Sequence, residues 1–325
     1  MINKKQLKDC RREFVLFLAF PFFLVILFLL QVYPNRWRPK TARSIGRLAF
    51  RWGKHSRNIT INNLQLGYGH EKTPEEIVAM AREVFEETAV SVTDFFATVF
   101  IRSKEKFFKL VEVEGLEHLQ QAYNRGKGVI CLIPHQSIWE LSAVTPPMLG
   151  FATHAVSKPI KGMLFQKMMV RFRAKRGMYN YERDHSYQKI IDSMHQGECM
   201  IMMIDQDTMV KGTFVDFFGR QAYTPLGCAR IVADTGCAVV PMTTIRMSDT
   251  HYKFKINPEL PFIRTGHIDN DLVVNTQHET LAMENFIRAY PTQWVWMHRR
   301  WKTTPEKLAQ FLERKRKEKE QATAK

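Results

Sequence analysis

The stretch Gly128-Val-Ile-Cys-Leu-Ile-Pro-His-Gln-Ser-Ile-Trp-Glu140 sets an imidazole and a carboxylate five residues apart, beside a segment built to be buried. Val129 to Ile133 is a short apolar run bounded by Gly and Pro, the pattern of a buried strand. Pro134 has no N–H to give a ladder and ends it. His135 therefore stands at the carboxyl end of a strand, where open α/β sheets place their sites. Trp139 to Val144 reads as a helix that stops at Pro146-Pro147. Residues five apart in a regular helix point about 140° away from each other. His135 and Glu140 can thus meet only if His135 lies in the turn and Glu140 in the first helical turn. A carboxylate on one ring nitrogen would fix the tautomer and support the imidazolium, while the other nitrogen takes a proton from a substrate hydroxyl. No G-x-S-x-G serine elbow is present, so the expected nucleophile is the substrate's own hydroxyl.

Other reactive side chains are weighed against plainer roles. Cys131 is close to His135 in sequence, but its mid-strand position predicts a buried, inert thiol and not an acyl-enzyme nucleophile. Ser137 reads as a helix cap. Asp205-Gln-Asp207 follows an apolar strand; two near carboxylates are compatible with Mg²⁺ or Ca²⁺, and an orienting role for Asp205, paired with Arg183 or Lys158, is preferred. His298-Arg-Arg-Trp-Lys302 has the composition of a phosphate clamp with a stacking ring, in which Arg299 and Arg300 hold acceptor phosphates.

These residues need elements to position them. Phe14 to Leu30 is uninterrupted apolar sequence, near the lower limit for a bilayer-spanning helix. Pro21 is tolerated in such a helix, and no small-x-small cleavage site follows. Basic residues flank both ends and are denser on the C-terminal side, so a cytoplasmic main domain is expected. Asn35 to Arg57 alternates basic residues with Trp37, Ile45, Leu48, Phe50 and Trp52, as in a helix lying on anionic headgroups or one with a single core face. Thr73-Pro-Glu-Glu76 starts a long helix to about Ile101. Strands are expected at Leu110–Val113, Val129–Ile133, Thr153–Ser157, Cys199–Ile204, Ala238–Met247 and Tyr252–Ile256. Helices are expected at Leu116–Asn124, Gly162–Lys175, Asp184–Gln196, Leu226–Asp234 and Leu272–Tyr290. The alternation implies an α/β fold, a mixed, largely parallel sheet flanked by helices, behind one N-terminal transmembrane helix. Three parts are expected: an anchor over 1–33, a catalytic domain over 34–305 and a charged tail over 306–325.

The chain has 325 residues and a formal net charge of +16. That balance suggests an anionic partner: a membrane surface, a phosphorylated lipid, an acidic carrier protein or nucleic acid. Five scattered cysteines without C-x-x-C pairs argue against a disulfide framework and a zinc site.

His-x4-Glu after a strand resembles the bacterial lipid A late acyltransferases, relatives of the glycerolipid acyltransferases that carry His-x4-Asp. Further matches follow in that family's order: Arg176-Gly177…Arg183, Asp205-Gln-Asp207, Phe217-Phe-Gly219, Thr224-Pro-Leu-Gly227…Thr235-Gly236…Pro241, and Trp294-Val-Trp-Met-His-Arg-Arg-Trp-Lys302. Upstream, Arg57-Asn-Ile-Thr-Ile-Asn-Asn-Leu64 also fits. The resemblance runs from about Arg11 to Thr304. It implies transfer of a fatty acyl chain from acyl carrier protein to a hydroxyl of a lipid A precursor, in a single-pass protein of the inner membrane. His135 would be the base, Glu140 its orienter, and Lys158 or Arg183 the oxyanion's electrophile. It implies no cofactor, no metal and no covalent intermediate. Two rivals remain. One is an acyltransferase for another lipid: a lysophospholipid, an aminolipid or a glycosylated phosphoinositide. The other is a non-enzymatic membrane scaffold. Nucleic acid is not an expected partner.

Overall fold

The computed structural model describes residues 4–98, 101, 103–182 and 186–323. Arg183 and the expected helix start at Asp184 lie outside the described residues. The strands are β1 (Val111–Glu114), β2 (Val129–Leu132), β3 (Thr153–Ser157), β4 (Met178–Glu182), β5 (Cys199–Met202), β6 (Gly212–Phe217), β7 (Arg220–Pro225), β8 (Ala238–Arg246) and β9 (Tyr252–Ile256). Seven form one sheet in the order β1-β9-β8-β2-β5-β3-β4, with β2 at its centre. Only β8 and β9 pair antiparallel, so the sheet is mixed and largely parallel, as expected.

Central strands of such a sheet are buried on both faces, and β2 shows why its run is continuously apolar. Val129, Cys131 and Ile133 point to one face. There they join α6 (Leu116–Asn124), α7 (Trp139–Leu149) and α8 (Met163–Ala174). Ile130 and Leu132 point to the other, against α9 (Tyr187–His195), α10 (Gly227–Thr235) and α11 (Ile268–Ala289). The period of two divides the run between two cores.

A third core ties the N-terminal helices to a hairpin. α2 (Arg38–Trp52), α3 (Lys54–Tyr68) and α4 (Pro74–Thr98) supply Phe50, Leu64, Tyr68, Ile77 and Val84. These pack with Phe217 and Phe218 of the β6–β7 hairpin and with Trp294 and Trp296. The hairpin was not expected. Its two-residue turn, Phe218-Gly219, has both φ angles positive at 57° and 72°, the turn twist that suits antiparallel strands. The basic stretch expected as one helix from Asn35 to Arg57 is broken at Gly53 into α2 and α3. α7 runs through Pro146 and Pro147 to Leu149. Its last turn closes because the Pro146 and Pro147 carbonyls accept from Phe151 and Gly150. The short helix α5 (Lys104–Leu110) was also not expected, while the charged tail forms α12 (Pro305–Thr323).

α1 (Lys4–Val32) contains Asp9–Val32, among the described residues the one helix long and apolar enough to cross a membrane. At about 1.5 Å per residue this stretch reaches roughly 36 Å, against a hydrocarbon core of about 30 Å. The helix is not free of the domain. The Glu13 carboxylate accepts from the Gly162 and Met163 amides at 3.1 Å each, capping α8. Phe23 meets Phe96 of α4 and Phe165 of α8, and Leu27 is buried.

Candidate active site

β2 and β5 pair in parallel with Leu132 opposite Met202. Three residues beyond each end, His135 and Asp205 come side by side. The Asp205 carboxylate accepts from the His135 backbone N–H at 2.6 Å, meets His135 Nδ1 at 2.7 Å and accepts from Trp294 Nε1 at 2.7 Å. Asp205 is fully buried, whereas the His135 side chain keeps 20% exposure. Burial by itself would push the Asp205 carboxyl up. The His135 charge and the donors from His135 and Trp294 outweigh it and hold the group below the usual carboxylate range. With Nδ1 committed, Nε2 is the ring nitrogen free to exchange a proton.

The backbone of the turn is tightly fixed. Ser137 sits at φ 49°, and its N–H donates to the Gln293 carbonyl at 2.7 Å. The Val295 N–H donates to the His135 carbonyl. The Gln136 amide, buried, donates to the carbonyls of Phe286 and Tyr290 and accepts from Thr243 Oγ1. A strap over residues 291–297, not assigned from sequence, thus holds the imidazole in place.

The structure corrects the expected partner of His135. Glu140 lies in the first turn of α7, as foreseen, but its carboxylate turns to α8. It accepts a bidentate pair from Arg173, Nε to Oε2 at 3.0 Å and Nη2 to Oε1 at 2.5 Å. Arg173 Nη1 also donates to Ser157 Oγ and Asn180 Oδ1. The fork geometry of guanidinium and carboxylate favours this pairing over one with an imidazole. Nothing in the sequence singled out Arg173, one of three basic residues in an amphipathic helix. Asp205 orients His135 and does not pair with Lys158. Asp207 faces elsewhere and accepts from the Thr303 N–H and Oγ1 at 2.9 Å each.

Two cavities meet at this constellation. One, of about 260 Å³, runs from His135 and Ser137 along Val92, Phe95, Ile160 and Met169. The other, of about 710 Å³, passes Ile190, Ile201, Met202, Ile204 and Ile231 beneath the carboxyl ends of the strands. His135, Trp139, Glu140, Ser157, Lys158 and Arg173 line both. Lys158 is exposed there without a hydrogen-bond partner among the described residues. Ser137 Oγ is buried without a partner and borders the smaller cavity.

Cys131 is fully buried in β2. A hydrogen bond with Cys199, together with burial, drives its thiol well above the ordinary range. Such a thiol is a poor nucleophile at neutral pH.

The terminal motif divides. Arg299 is exposed. Arg300 is fully buried, donates to the Tyr223 carbonyl at 2.7 Å and Thr224 Oγ1 at 2.5 Å, and lies 4.8 Å above the Phe217 ring. Burial brings its pKa down to about 10. Arg300 is therefore a structural pin of the hairpin, not a holder of acceptor phosphates. Arg300→Ala is expected to cost about 3–5 kcal/mol of stability, since it leaves buried acceptors unpaired and opens a void. A melting temperature within 2 °C of wild type, by circular dichroism, would contradict this role.

The fold and these converging cavities define an α/β protein with a histidine–aspartate site at the carboxyl ends of its strands. The chain belongs to the bacterial lipid A biosynthesis acyltransferases, whose family model matches residues 5–303. It is 24% identical over 278 residues to a lipid A biosynthesis acyltransferase of Haemophilus influenzae, covering 84% of each chain. It is 27% identical over 271 residues to the lipid A biosynthesis myristoyltransferase of Escherichia coli, covering 83% of this chain and 82% of that one. A shorter likeness, 22% over 194 residues and 58% of this chain and 59% of the other, joins it to a phosphatidylinositol mannoside acyltransferase of Mycobacterium tuberculosis.

Proposed function

We propose that the protein transfers a fatty acyl chain from acyl carrier protein to a hydroxyl of a lipid A precursor. The observation that carries this reading is the meeting of two cavities at a histidine backed by a buried carboxylate. The larger apolar cavity takes the acyl chain, and the smaller admits the acceptor. His135 Nε2 takes the proton of the acceptor hydroxyl as its oxygen attacks the thioester carbonyl. Asp205 supports the imidazolium. Lys158, or Arg173 held by Glu140, faces the oxyanion. The tetrahedral intermediate then expels the thiolate, and His135 returns the proton to that sulfur. The step needs no metal. A net charge of +16 suits an acidic donor protein. A glycosylated phosphoinositide acceptor is the second reading, favoured by the mycobacterial likeness.

The test supplies purified protein with radiolabelled acyl carrier protein and a lipid A precursor, with acyl-coenzyme A and a mannosylated phosphoinositide as alternatives. Label should pass to the lipid A precursor, and without acceptor no denaturation-stable label should stay on the protein. Stable label that Cys131→Ala removes, along with turnover, would replace direct transfer with an acyl-enzyme route.

We further place α1 in the inner membrane with the domain on the cytoplasmic side. Supporting this are the apolar exposed face of α1 and the basic residues after it. α1 touches the domain from Glu13 to Gln31, and the exposed Val92, Ile160 and Met163 belong to the elements it packs against or borders. A periplasmic alkaline phosphatase fused after Lys325 should be inactive; an active fusion would reverse the orientation.

A further inference from the structure

Two sequence motifs that the chemistry above does not use meet in a separate cleft of about 400 Å³, which shares no lining residue with the catalytic cavities. α3 carries the first motif. Asn63, buried, donates from Nδ2 to the carbonyls of Trp296 at 2.7 Å and His298 at 2.6 Å. This clamps the 296–298 segment against α3. His55, Asn58 and Asn62, spaced three and four apart, form one exposed stripe of that helix. They face Arg299, Lys302 and Lys307 across the cleft.

Among the described residues, no carboxylate lines the cleft. Arg299 is exposed with no hydrogen-bond or ion-pair partner among the described residues. Lys302 and Lys307 keep only backbone acceptors within hydrogen-bond reach: Lys302 donates to the Asp207 carbonyl at 2.8 Å, and Lys307 to the Lys302 carbonyl at 3.2 Å. The buried Asp207 carboxylate lies 3.9 Å from Lys302, and Glu306 neighbours Lys307 in the first turn of α12. Trp301 closes one wall of the cleft and packs its ring against Phe217. His55 belongs to the first turn of α3 and Lys307 to the first turn of α12. Side chains from the first turns of two helices thus line the same space. An unpaired Arg299, two further lysines and a stripe of imidazole and amide side chains, with no carboxylate among the described lining residues, form a binding set for an oxyanion.

We propose that this cleft binds a phosphate group, at a site distinct from the catalytic pocket. α2, which leads directly into α3, exposes Ile45, Leu48 and Trp52 among basic residues. Such an apolar and basic face suits a membrane surface, where lipid headgroups carry the same phosphate chemistry as free phosphate. The proposal concerns binding and does not depend on the acyl-transfer reading.

The test uses the full chain in non-ionic detergent. Inorganic phosphate is titrated by calorimetry. Separately, retention on phosphatidylcholine vesicles is measured with and without phosphatidic acid. Wild type should bind saturably. Arg299→Ala and Lys307→Ala, both at exposed positions, should weaken binding roughly tenfold or more. Asn62→Leu, which preserves every charge, should also weaken it. Lys104→Ala, which removes an exposed cation outside the cleft, should change affinity less than twofold. Saturable binding of inorganic phosphate without added retention by phosphatidic acid assigns the site to a soluble phosphate; retention by phosphatidic acid assigns it to a headgroup. Either supports the site. Absence of saturable binding with both probes, or equal affinities for Arg299→Ala and Lys104→Ala, overturns it.

Discussion

Replacing His135 by Ala is expected to lower the acyl-transfer rate by about 10²–10⁴-fold or more, in a protein that still folds. A hydroxyl is a feeble nucleophile near neutral pH, and among the described residues His135 is the one imidazole lining either cavity. Folding should survive because the Asp205 carboxylate loses only one of its donors. The residue-135 backbone N–H and Trp294 Nε1 remain. The stability cost should be roughly 1–3 kcal/mol, that of a weakened buried charge-assisted network. Initial rates with saturating donor, beside a thermal melt, decide the matter. A folded variant with more than a tenth of wild-type turnover would remove His135 from the role of base.

Asp205→Asn should have the next largest effect, about 10²–10⁴-fold in kcat, because an amide keeps the shape but not the charge that fixes the tautomer and supports the imidazolium. Glu140→Ala should cost less. It frees Arg173 from one bidentate partner while Ser157 and Asn180 still hold the guanidinium, and the His135–Asp205 pair stays intact. If Glu140→Ala abolishes turnover while Asp205→Asn retains most of it, Glu140 is the carboxylate that serves the imidazole during the reaction. Asp205 also makes a prediction about acid stability. Its folded carboxyl is held below the ordinary range, so the ionised form stabilises the fold above the unfolded carboxyl value of about 3.9. That contribution disappears as pH falls through the lower folded value. Asp205→Asn should lose stability at neutral pH, and its denaturation profile should be flatter than wild type below about pH 4. Parallel profiles for the two proteins would show that the carboxylate is not preferentially stabilised in the fold.

Local pattern alone determined much of this protein. The Val129–Ile133 run between Gly128 and Pro134 specified a buried strand, and Pro134 put His135 at its carboxyl end. The apolar stretch after Phe14 specified a long helix, and alternating strands and helices specified a covered sheet. These properties depend on periodicity, proline chemistry and burial, which a few neighbouring residues encode. Tertiary structure decided which carboxylate reaches the imidazole. Asp205 is 70 positions from His135, and the two meet because β5 inserts beside β2 with Met202 opposite Leu132. A one-residue change of register would send the carboxylate to the other face, and no local pattern records strand order. The same holds for Arg299 and Arg300. They are adjacent and identical in type, yet one is exposed and the other lies beneath a hairpin contributed by residues 212–225. Sequence supplied the guanidinium groups; packing of the distant hairpin made one a structural pin and left the other open to solvent.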